Sequence, residues 1–151
     1  MESVTIEEFE KETQTVKFIL IILGIFCAYR LIKGSVNLEN VLILLVSIIG
    51  YFSVITLTRI SVKKINNDSY KIPFIQSEVL GFFLIIVLGT LSCYLFFYKG
   101  IYGLYRLFYE FSFGKLLFRI IIFFYALFFG KALSKINTVF NSIKRGNSIK
   151  Y

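Results

Sequence analysis

The 151-residue chain has no histidine and no tryptophan, a single proline, two cysteines, and nine acidic residues against seventeen basic ones. Without histidine the commonest general base and the commonest metal ligand are gone, and histidine-ligated zinc or haem is excluded. Cys27 and Cys93 form no Cys-x-x-Cys, so neither a redox pair nor a zinc site is indicated. Each lies in apolar sequence, where cysteine acts as a small hydrophobe. Pro73 sits in a polar segment, so no proline interrupts the apolar stretches. The opening Met1-Glu2-Ser3-Val4 lacks the basic start of a secretory signal, and Ile149-Lys150-Tyr151 is neither a prenylation box nor a retention signal.

Charge is also missing where it matters most. Nineteen residues, Asn40 to Thr58, carry none, and neither do the twenty from Val79 to Tyr98. A hydrocarbon layer of roughly 30 Å needs about 20 such residues as a helix. A first stretch holds twelve uncharged residues, Phe18 to Tyr29, between Lys17 and Arg30, whose long side chains can snorkel. A fourth is centred on Ile120 to Gly130, with Lys115 and Arg119 one turn apart before it. The composition is 57% hydrophobic and mean hydropathy is +0.76, both too high for an ordinary soluble domain. The expected fold is an all-α membrane protein, a four-transmembrane-helix bundle with short interfacial helices. Its single domain would cover 1–151, with spans at about 16–33, 40–60, 78–98 and 112–131.

The flanks add detail. Thr5-Ile6-Glu7-Glu8 reads as a capping box, and Val4 with Phe9 as a hydrophobic staple, so a helix starts near Ile6 and runs on into span one. The tight link Gly34-Ser35-Val36-Asn37 makes spans one and two an antiparallel hairpin. The aromatic run from Ile101 to Phe113 holds Tyr102, Tyr105, Arg106, Tyr109 and Glu110. Tyrosine favours the headgroup level, which predicts an interfacial or re-entrant helix there, or else a continuation of the neighbouring spans. Beyond span four, Ala132, Leu133, Ile136, Val139, Phe140 and Ile143 recur at helical spacing beside Lys131, Lys135, Lys144 and Arg145. That is a basic amphipathic helix over 132–145, lying on an anionic leaflet or extending span four, with Gly146-Asn147 as its stop.

Orientation follows from the basic residues. Lys11, Lys17, Arg59, Lys63, Lys64, Lys71, Lys131, Lys135, Lys144, Arg145 and Lys150 share one side, eleven in all. Arg30, Lys33, Lys99, Arg106, Lys115 and Arg119, six in all, share the other, so both termini are expected in the cytoplasm. The sequon Asn67-Asp68-Ser69 then faces the cytosol and is fortuitous. The net charge of +8 serves orientation and anionic headgroups, and no soluble module exists to bind nucleic acid. Richness in Phe, Ile, Lys, Asn and Tyr suits an A+T-rich bacterial genome, hence a bacterial cytoplasmic membrane.

In lipid, helices associate through close packing at small residues. The packing candidates are Gly24 and Ala28 on span one, Ser47, Gly50 and Ser53 on span two, Gly81, Gly89 and Ser92 on span three, and Ala126 and Gly130 on span four. Spans two and three carry no central charge of the kind that proton-coupled transporters use. Arg30, Arg119 and Glu110 are the nearest ionisable groups, placed as anchors near span ends. No catalytic, cofactor or metal signature is present. The paired loop cysteines of a four-span disulfide-generating oxidase are lacking, as are the two membrane aspartates of a type II signal peptidase, only Asp68 being present.

The expected function is therefore non-enzymatic: helix–helix contact with another membrane protein or with a second copy. The concrete forms are an immunity protein against a pore-forming bacteriocin or secreted toxin, and an accessory subunit of a membrane complex. An oligomeric pore, holin-like or a small channel, with Ser47, Ser53, Thr56 and Thr58 lining it, is the alternative. A lipid-acting enzyme built on Glu78, Glu110, Arg106 and Arg119 is a third and weaker reading, because a carboxylate beside an arginine is usually an ion pair.

Overall fold

The computed structural model describes residues 6–67, 69–107, 109 and 112–145. Among them every regular element is helical. Four helices, each long and apolar enough to cross a membrane, form one antiparallel bundle: α1 (Ile6–Ile32), α2 (Leu38–Asn66), α3 (Phe74–Leu107) and α4 (Phe113–Lys144). α1 packs on α2 and α4, and α3 closes the ring between α4 and α2. The far side of the capping box (Thr5), the middle of the sequon (Asp68), Phe108, Glu110, Phe111 and the stop at Gly146-Asn147 lie outside the described residues.

The turn between α1 and α2 is fixed locally. Gly34 adopts φ +85°, which a side chain would strain. Its N–H donates to the Leu31 carbonyl and that of Ser35 to the Arg30 carbonyl, closing α1 with a Schellman motif. The Asn37 side chain then accepts from the Asn40 amide at 2.8 Å and caps α2. Asn40 is itself buried, and its amide group donates to the Ser35 carbonyl at 2.9 Å, which ties the hairpin from inside.

Buried positions follow a seam with alternating steps of three and four. On α1 these are Phe9, Thr13, Val16, Leu20 and Cys27; on α2 Ser47, Gly50, Val54, Leu57 and Ser61; on α4 Ala126, Phe129, Leu133, Ile136, Phe140 and Ile143. That is heptad spacing, the pattern of helices that interdigitate at a shallow crossing angle. α3 departs from it. Its seam runs Ser77, Leu80, Leu84, Leu88, Leu91, Leu95, where strict heptads would continue through Val87 and Tyr94. The extra residue is taken up by a π-helical stretch at Phe83–Leu88, and a second follows at Leu95–Tyr102.

Two expectations change here. The aromatic run does not begin a separate interfacial helix: Tyr102, Tyr105 and Arg106 occupy the last turns of α3, because Gly100, Gly103 and Leu107 continue its buried face. Likewise Ala132 to Ile143 form no leaflet-lying helix. They prolong α4 without a break, their apolar face filling the bundle core beside Phe9 and Val16. The alternative weighed for each segment, continuation of its span, is what the structure adopts.

The core is unevenly distributed. Where the termini lie, α1, α2, α3 and α4 all contribute fully buried side chains, and Lys135 pairs with Glu12 at 3.1 Å while Lys144 pairs with Glu78. At the opposite end none of the residues from Phe113 to Tyr125 is buried, and on α1 beyond Leu20 only Cys27 is.

Candidate functional site

That less filled end leaves a partly open cavity of about 390 Å³ between the four helices. Its apolar wall comes from Ile22, Phe26 and Cys27 on α1, Ile43 on α2, Leu95 on α3 and Phe118, Ile122 and Tyr125 on α4. Phe26 and Phe118 meet across it with ring centroids 5.9 Å apart. Such a volume is within the range of small-molecule pockets.

The polar groups gather at one rim. Lys99 pairs with Glu39 at 2.5 Å, and Tyr94 lies beside the same carboxylate. The Lys99 ammonium also lies over the Tyr94 and Tyr98 rings, 5.9 and 5.5 Å from their centroids. Tyr94, Tyr98 and Tyr102 stack along α3 with centroid spacings of 5.3 and 5.6 Å. Lys99 belongs to the second π-helical stretch.

Arg119 lines the cavity from α4 and donates through Nη1 to the Lys99 carbonyl at 3.1 Å. Gly103 makes this crossing possible, since a Cβ there would stand 2.8 Å from Arg119 Cδ and Nε. Gly100 is similarly pressed against Phe123, at 3.3 Å from Cδ2. Arg30 lines the same cavity from α1, its guanidinium 5.9 Å from the centre of the Phe26 ring. Among the described residues Glu39 is the one carboxylate at this end of the bundle, facing Arg30, Lys33, Lys99, Arg106, Lys115 and Arg119.

The small residues fall into three groups. Gly24 approaches Ser47 and Leu44 between α1 and α2, 3.7 and 3.8 Å from a notional Cβ. Gly50 is buried against Leu88 and Leu20, at 3.0 and 3.2 Å, so it joins α1, α2 and α3. Ser92 donates to the Ala126 carbonyl at 3.3 Å, and a notional Cβ on Gly130 would stand 3.0 Å from its hydroxyl, joining α3 to α4. A Cβ added at Gly81 or Gly89 would meet nothing within 4 Å, and Ser53 is half-buried. Gly24, Ala28 and Ser47 also line a groove of about 330 Å³ on the outer face of α1 and α2, beside Ile25, Ile48 and Phe52. Tyr102, Tyr105, Arg106 and Tyr109 are exposed; Tyr105 and Tyr109 make an edge-on pair at 6.0 Å.

Sequence reasoning found Arg30 and Arg119 but missed Glu39, Asn40, Lys99, Gly100 and Gly103. The signal was present. Antiparallel spans bring the start of span two and the end of span three to one side, which puts Glu39 and Lys99 at the same end of the bundle, where they pair. No cluster of three or more potential metal ligands occurs among the described residues. No family model matches this chain, and no curated protein or solved structure matches it at a significant level.

Proposed function

We propose that the protein is an integral membrane protein with both termini in the cytoplasm, which catalyses no reaction and works by lateral contact with another membrane protein. Membrane placement is supported by a surface rich in large apolar side chains, among them Phe18, Ile25, Phe52, Phe82, Phe97 and Phe128. Water would not tolerate such a surface on a folded monomer. The positive-inside bias supports the orientation.

The observation that carries the contact reading is the groove between α1 and α2. Gly24 and Ala28 line it together with Ile25, Ile48 and Phe52, and small residues of this kind let a partner helix approach the backbone closely. Such a surface would serve an immunity protein that captures a toxin helix, or an accessory subunit seated in a larger complex. The pore alternative draws less support. Ser47, Thr56 and Thr58 donate to the Ile43, Phe52 and Val54 carbonyls of their own helix, leaving little polarity for a lumen.

A photo-reactive side chain in place of Phe52 tests the reading in native membranes. The expected result is a crosslink to one membrane protein, abolished by Gly24→Leu without loss of membrane level. Adducts with lipid alone, or a crosslink indifferent to Gly24→Leu, would contradict it.

A further inference from the structure

The cavity at the opposite face of α1 presents a different chemistry. Two guanidiniums, Arg30 and Arg119, reach it from facing helices, and both are half-buried. Neither has a carboxylate within ion-pair distance among the described residues, because the one carboxylate at hand, Glu39, is held by Lys99. Among the described residues, one of the five N–H donors on Arg119 is engaged, by the Lys99 carbonyl. Below these charges the walls are hydrocarbon and aromatic: Ile22, Phe26, Phe118 and Ile122.

Half-buried guanidiniums that make no carboxylate ion pair among the described residues invite an oxyanion, and Arg binds phosphate through paired N–H groups. The apolar depth behind them invites a hydrocarbon chain. We infer that this cavity binds one anionic phospholipid, its phosphate held by Arg30 and Arg119 and one acyl chain lying between α1 and α4. The register supports the level. Gly24 lies opposite Ser47, so Arg30 comes level with the first turn of α2, where the uncharged stretch begins. Arg119 likewise marks the edge of the uncharged stretch of α4. Both guanidiniums thus sit at one headgroup plane. The inference shares with the proposed function only the membrane placement, and its residues are not those of the α1–α2 groove.

The test uses the full chain purified in a neutral detergent, with native mass spectrometry reading lipid retention. Phosphatidylglycerol and phosphatidylcholine with identical acyl chains are titrated in turn. One phosphatidylglycerol per chain is expected to stay bound, with phosphatidylcholine much weaker. Arg30→Gln with Arg119→Gln should weaken phosphatidylglycerol by roughly thirtyfold, two basic groups each contributing on the order of a fivefold factor. Thermal unfolding without lipid checks that this variant is folded. Ile122→Trp fills the tail space, leaves both arginines in place and is expected to lower retention as well. Equal binding of the two lipids, or full retention by the double variant, overturns the inference. Displacement of the lipid by millimolar inorganic phosphate, or unchanged binding in Ile122→Trp, overturns its acyl-chain half.

Discussion

The two ends of this bundle are built from the same kinds of residue and packed to opposite degrees. Near the termini α4 buries Phe129, Leu133, Ile136, Phe140 and Ile143 against its neighbours. At the other end the same helix, from Phe113 to Tyr125, buries nothing, though it is the more apolar half. Hydrophobicity therefore does not decide which half is core. The difference lies in the outward side of each half. Lys131, Lys135 and Lys144 give the packed half a polar back, so its apolar face has one place to go. The open half is apolar all round except for Lys115 and Arg119, and lipid can cover what the bundle leaves exposed.

The largest effect that would break this contrast comes from emptying the packed end. Phe140→Ala should destabilise the protein by about 3–5 kcal/mol, whereas Phe118→Ala should cost about 1 kcal/mol, the value of one aromatic pair. Reversible unfolding in mixed micelles measures both, and similar losses would erase the distinction.

Next in size is the middle of the bundle. A methyl group on Gly50 must displace Leu88 and Leu20, both fully buried, so Gly50→Ala should cost about 1–3 kcal/mol in the same assay. Gly103→Ala belongs to the open end and should behave differently. The atoms nearest the added methyl belong to the flexible side chain of Arg119, and helix propensity returns up to about 1 kcal/mol, so net stability should stay near wild type. What it should remove is the Arg119 bond to the Lys99 carbonyl, read as weaker retention of anionic lipid. The smallest effect is expected at the polar edge of the packed end. Glu12→Gln breaks a partly exposed ion pair with Lys135 and should cost about 0.2–1 kcal/mol, less at high salt.

How much of this was legible beforehand follows from the same contrast. Four helices, the hairpin at Gly34 and the amphipathic pattern of residues 132–143 stand out because charge and turn residues bound them. That last pattern does not say whether its apolar face meets a leaflet or a bundle, since both present hydrocarbon. Inside the spans the seams were hidden. Val16 and Leu20 of α1 are heptad positions, yet Ile21 and Ile25 beside them are equally apolar and face outward. Small residues marked the close contacts at Gly50 and at Ser92 with Gly130, but the same criterion offered Gly81 and Gly89, where an added Cβ would meet nothing within 4 Å. Gly100 and Gly103 went unnoticed because the tyrosines around them suggested a headgroup segment. The one-residue shift of the α3 seam depends on π-helical insertions, which leave no compositional trace.

The boundary between the two regimes falls on a single turn of α4, between Tyr125, which lines the cavity, and Phe129, which is fully buried. The chain contains no tryptophan, so Tyr125→Trp and Phe129→Trp each introduce one unambiguous fluorophore. In vesicles of lipids brominated along their acyl chains, strong quenching is expected at position 125 and little at position 129. Equal quenching at both positions would contradict a bundle that is closed at its termini and open to lipid at the other end.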